Sequence, residues 1–141
     1  MLPLRKITLL KRGKIMRIQF KNYFHRKNFT EFISSKKPDY FSNRSEFLAA
    51  AFLLSADKHL WERSKSAFAR YVINFDSINL NGISTDGYAL YKAARTVYGG
   101  DSDISLSELC DWTLIDDSTM LTIFAGVMLL RNGIKMLNWR I

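Results

Sequence analysis

Apolar positions along the chain recur mainly at helical spacing. From Asn22 to about Ser35, Phe24, Phe29 and Phe32 fall near a 3.6-residue period with Tyr23 and Ile33 beside them, and Lys36-Lys37-Pro38 supplies cations and a stop. After a polar linker the run EFLAAAFLLSA, Glu46 to Ala56, is apolar on most sides and rich in strong helix formers, so it is expected to be buried, with Ser42 or Asn43 as N-cap. A third helix reads over Lys58 to Ile73, with Leu60, Trp61, Ala67, Phe68 and Val72 on one face. Asn74 to Ser84 has the Asn, Asp, Ser and Gly density of a loop, yet Phe75, Ile78, Leu80 and Ile83 should pin it to the body.

The carboxyl half reads the same way. Ser84, Thr85 or Asp86 is placed to cap a helix running to Tyr98, and Gly99-Gly100 to end it in a left-handed turn. Ser105 and Glu108 have the spacing of a capping box and predict a short helix through Trp112. Asp116, Asp117 and Ser118 precede the run MLTIFAGVMLLR, whose carboxylates suit a helix N-terminus and whose Arg131-Asn132-Gly133 suits a C-terminus. Because this last helix is apolar on nearly all sides, it is expected at the centre of the fold. Leu137 and Trp139 in the tail either dock on the body or stay apart from it. Residues 17–21 alternate too briefly to separate a short strand from a simple extended lead-in. The sum is an all-α orthogonal bundle of about six helices, with no β-α alternation.

Several of these elements, in order, resemble a family of small uncharacterised bacterial proteins known as domain of unknown function six-zero-seven-five. The resemblance rests on Phe20-x-Asn22-x-x-His25-x-x-x-Phe29, Asn74-Phe75-Asp76-x-Ile78 with Gly82-Ile83, Ala93-x-x-x-x-Tyr98-Gly99, Leu106-x-x-Leu109, and the apolar helix ending at Arg131. It spans most of the chain. Family members carry an acidic residue where this chain has Asn74, and they start near the position of Met16. The resemblance implies a small, mostly helical, cytoplasmic protein of bacteria and their mobile elements, and it brings no catalytic residues with it.

Charge changes the picture at one end only. Residues 1–37 hold eleven Lys and Arg against Glu31, a net of +10, while residues 38–141 hold ten against twelve acids, a net of −2, together the +8 of the whole chain. The first fifteen residues, with five cations and no acid, read as a basic extension ahead of Met16, where translation is expected to begin; residues 16–141 then form a single helical domain of net charge +3. Their apolar stretches are broken by Arg5, Lys6 and Lys11, unlike a secretory signal. Arg17, Lys21, Arg26, Lys27, Lys36 and Lys37 are the candidate contacts for phosphates or an acidic protein partner, although a solvated helix face explains them equally well.

Candidate chemistry is sparse. The longest apolar run, Met120 to Leu130, is broken by Thr122 and Gly126 and is far short of the roughly 20 residues a bilayer requires. His25 and His59 have no metal-ligand spacing and Cys110 is the single cysteine, so no metal site, cofactor or internal disulfide is expected. His25 reads as a surface or capping residue of its helix, and Cys110 as a small buried apolar one. Asp101, Asp103 and Ser105 begin a calcium-loop pattern that fails at Leu106 and Trp112, where glycine and glutamate are required. Phosphate-loop glycines and a helix-turn-helix recognition helix are both missing. The expectation is a non-enzymatic, cytoplasmic, helical protein of a bacterium, phage or mobile element that acts through a macromolecular surface. It would be an adaptor or inhibitor of host machinery, such as an anti-defence protein. A protein partner leads, with no membrane role and with self-association through surplus aromatics left open. Sequence-independent nucleic-acid contact through residues 5–37 is the first alternative, and an enzyme with a dispersed site the second.

Overall fold

The computed structural model describes residues 18–36, 40–41, 43–70, 72–100 and 104–137. Six α-helices follow one another: α1 (Tyr23–Ser34), α2 (Ser45–Leu54), α3 (Lys58–Ser64), α4 (Thr85–Gly99), α5 (Leu106–Cys110) and α6 (Asp117–Asn132). Short 3-10 turns at Lys65–Ala67, Phe75–Ser77 and Ile134–Leu137 fill the connections. The described residues contain no strand, so the all-α bundle stands, and residues 18–20 lead into α1 outside any helix.

Caps account for most of the boundaries. The side chain of Asn22 accepts from the His25 backbone N–H, that of Ser84 from Gly87, and that of Asp116 from Thr119. Ser105 and Glu108 form the reciprocal capping box their spacing predicts. Gly100, at φ 76°, takes the left-handed turn that closes α4. Three boundaries differ from the sequence reading, the simplest being α5, which ends at Cys110 where Trp112 was expected. The residue ahead of α2 is Arg44, with no side-chain cap, where Ser42 or Asn43 was expected; Ser42 lies outside the described residues. The third helix stops at Ser64, well short of Ile73, because Phe68 and Ile73 pair across a tight antiparallel turn that an unbroken helix would pull apart.

The centre of the fold is α2. Every residue from Phe47 to Leu54 is buried, and the helix packs chiefly against α4 on one side and α6 on the other. This corrects the expectation that the last helix would be central. Aromatic rings extend the core from one end of α2: Phe47 meets Phe68 and Tyr98, and Phe32 meets Trp61 and Phe68, at centroid distances of 5.0–6.4 Å. The loop after α3 is pinned as its sequence implies, with Phe75 and Ile78 buried and Leu80 and Ile83 packed at the core's edge. Leu137 also docks into the core, while Trp139 lies outside the described residues. No helix among the described residues is long and apolar enough to cross a membrane.

Candidate protein-interaction face

The last helix is apolar on two opposite sides for two different reasons. Its inward side is built of Thr119, Thr122, Ile123, Gly126 and Leu129, all buried. Gly126 is the closest point: a Cβ there would stand 2.7–2.9 Å from the side-chain carbons of Leu53 on α2. The outward side, half a turn away, carries Leu121, Phe124 and Val127, which are 57%, 46% and 45% exposed. Thr122 and Gly126, which interrupt the apolar run in the sequence, are thus the residues that face the core. Of the large residues around them, Ile123 and Leu129 are buried while Leu121, Phe124 and Val127 face out.

A second segment borders this outer face. Ile18–Lys21 runs alongside α6 and encloses with it a groove of about 400 Å³, lined by Ile18, Phe20, Leu121, Phe124, Ala125 and Met128 among others. What fixes the segment is His25. Its ring is fully buried; Nδ1 accepts from the Lys21 backbone N–H at 2.9 Å, and Nε2 donates to the Phe52 carbonyl oxygen at 2.7 Å. Both ring nitrogens are satisfied only in the neutral Nε2–H form, and burial pushes the pKa down to about 4. Phe20 lies against the His25, Phe29 and Phe52 rings at 5.1–6.0 Å. His25 is therefore a core clasp between the lead-in, α1 and α2, which corrects its reading as a surface residue. Lone histidines with a nearby aromatic pattern do not reveal this from sequence, because the partner carbonyl is 27 residues away.

Other exposed apolar residues are scattered. Leu106, Trp112 and Leu114 lie at and beyond α5, where Lys92 holds Glu108 at 3.0 Å. That carboxyl sits below its usual range, first because it accepts from the Ser105 backbone N–H and then because of Lys92. Tyr23 and Phe24 are exposed on α1, with the Lys58 ammonium 5.6 Å from the Phe24 ring centre.

The candidate cations are placed apart where they are described. Lys21 lines the groove beside α6; Arg26 and Lys27 are consecutive on α1 and so diverge by about 100°. The Lys36 ammonium sits 5.2 and 5.3 Å from the Phe32 and Tyr40 ring centres. Arg17 and Lys37 lie outside the described residues. Cys110 is exposed, contrary to the buried role expected of it, because α5 is only five residues long and buries none of them. Among the described residues no three His, Cys, Asp or Glu side chains converge as metal ligands. His59 faces solvent near Glu62. Against known protein families, curated proteins and solved structures the chain gives no match.

Proposed function

We propose that this chain is a non-catalytic protein-binding module whose contact surface is the outer face of α6 together with the Ile18–Lys21 edge. The observation that carries the reading is the apolar stripe of Leu121, Phe124 and Val127, exposed on a helix whose opposite side is already committed to the core. Contiguous exposed apolar surface of this kind marks sites where another macromolecule docks. The groove beside it adds room for an inserted side chain, and its walls are chiefly apolar. In this role the protein acts as an adaptor or inhibitor, and the resemblance to the uncharacterised helical family belongs to the same proposal.

The test is capture from the cells that express the protein. Immobilised wild-type chain is expected to retain a protein that the doubly substituted Leu121→Glu/Phe124→Glu chain does not, with the helical circular-dichroism signal of the two unchanged. Equal retention by both would overturn the reading. So would retention of nucleic acid alone, lost steeply as salt is raised, since that is the mark of phosphate contact by cations.

A further inference from the structure

We infer that Asn81–Gly82 is a self-modification site. The Gly82 backbone nitrogen closes on the Asn81 side-chain amide, assisted by Arg63, and water opens the ring to leave a carboxylate at position 81. No residue of the α6 face takes part, so the inference stands apart from the protein-binding reading.

An asparagine followed by glycine is the pair most open to this reaction, because glycine has no Cβ to hinder approach to its nitrogen. The chain holds two such pairs, Asn81–Gly82 and Asn132–Gly133, and the fold treats them differently. Asn81 and Gly82 are exposed at the tip of the loop ahead of α4. They form the middle of a tight turn, in which the Ile83 N–H donates to the Leu80 carbonyl at 3.1 Å and Gly82 takes φ 78°. Among the described residues neither the Gly82 N–H nor the Asn81 side-chain amide has a hydrogen-bond partner. At the end of α6 both groups are engaged. The Gly133 N–H donates to the Leu129 carbonyl at 2.7 Å, and Asn132 Nδ2 donates to the Met128 carbonyl at 3.0 Å. That pair must open locally before it can react.

Arg63 of α3 reaches across the turn. Its Nη1 donates to the backbone carbonyl of Asn79 at 2.9 Å and to that of Asn81. The Asn81 carbonyl belongs to the peptide whose nitrogen attacks. When that nitrogen loses its proton, amide resonance spreads the negative charge onto this oxygen. A guanidinium already bonded there stabilises the anion. The same cation then stands beside the residue that gains a carboxylate.

Water is the only added reactant. The Gly82 nitrogen, its proton lost to solvent base, bonds to the Asn81 side-chain carbonyl carbon. The bond from that carbon to the amide nitrogen breaks, and ammonia leaves with the proton returned to it. Water then adds to one of the two ring carbonyls and releases the Gly82 nitrogen from it. Opening at the side-chain carbonyl gives aspartate; opening at the backbone carbonyl gives isoaspartate. The second product adds a carbon to the main chain three residues ahead of Ser84, the cap of α4.

The test incubates the purified full chain for several weeks at neutral and mildly alkaline pH, then maps its peptides by mass spectrometry with fragmentation that separates aspartate from isoaspartate. Position 81 of the folded chain should convert about tenfold or more faster than position 132. Its rate should rise with pH, since the nitrogen must lose a proton. In denaturing urea the two positions should react at similar rates, because the fold no longer separates them. Arg63→Gln should slow conversion at 81 severalfold in the folded chain and leave 132 unchanged, with Arg63→Lys restoring part of the rate. Two results overturn the site: no conversion at 81, or conversion at 132 that keeps pace with it in the folded chain. Faster conversion in Arg63→Gln would overturn the assistance by Arg63, since a side chain that only restrains the turn speeds the reaction when removed.

Discussion

His25 joins three parts of the chain through two hydrogen bonds and ring contacts with Phe20 and Phe52, and the bond that Nδ1 accepts from the Lys21 N–H requires a neutral ring. The unfolded side chain titrates near 6.5 and the folded one at about 4, so protonation between those values favours the unfolded chain. The contribution of His25 is complete above pH 6.5, falls as the solution is acidified, and is gone by about pH 4, a loss on the order of 3 kcal/mol. Urea unfolding at pH 4.5, 5.5 and 7 should therefore give a stability that drops on acidification. His25→Leu should flatten that dependence. At neutral pH the same substitution should cost about 1–3 kcal/mol, because the Lys21 N–H and the Phe52 carbonyl lose their partner. A wild-type stability that is level or rising toward pH 4.5 would contradict this account of the ring. Only half of the clasp is visible in the sequence. The local half, Asn22 capping α1 through the His25 N–H, follows from spacing; the long-range half does not.

Helices themselves are largely legible, since caps at Asn22, Ser84, Ser105 and Asp116 and stops at Gly100 and Gly133 are local chemistry. Their rank within the fold is not. Both α2 and α6 are apolar around most of their circumference, and composition gives no way to separate a helix covered on all sides from one covered on half. The distinguishing signal in α6 is the position of its small residues. Thr119, Thr122 and Gly126 lie on one side of the helix, where Gly126 lets it approach α2 closely, and Leu121, Phe124 and Val127 fall opposite. Gly126→Ala should consequently destabilise the protein by about 1–3 kcal/mol, since the added methyl meets the fully buried Leu53. That exceeds the up to ~1 kcal/mol an alanine gains over glycine in a helix interior. A thermal melt shifted downward supports the close packing, and an upward shift refutes it. On the outer side, Leu121→Ala should leave stability within about 0.5 kcal/mol of wild type, as exposed substitutions do.

For the molecule as a whole, the buried centre is complete without α6's outer stripe. Aromatic and aliphatic side chains close around α2, both nitrogens of the buried histidine are satisfied, and Glu108, Asp111 and Asp116 depart from their usual range chiefly through caps and local turns. The basic character that stands out in the sequence belongs to its first 37 residues, and the cations described there lie by a groove, by rings, or on diverging sides of α1. Among the apolar residues that folding leaves exposed, Leu121, Phe124 and Val127 form a line on one helix. The most direct measurement places a photoreactive phenylalanine analogue at position 124 in the cells that express the protein, with a matched control at exposed Arg95. Irradiation should join position 124, and not position 95, to a protein, either a second copy of the chain or another polypeptide. Cross-links to nucleic acid alone, or equal yields from the two positions, would contradict the assignment of this face.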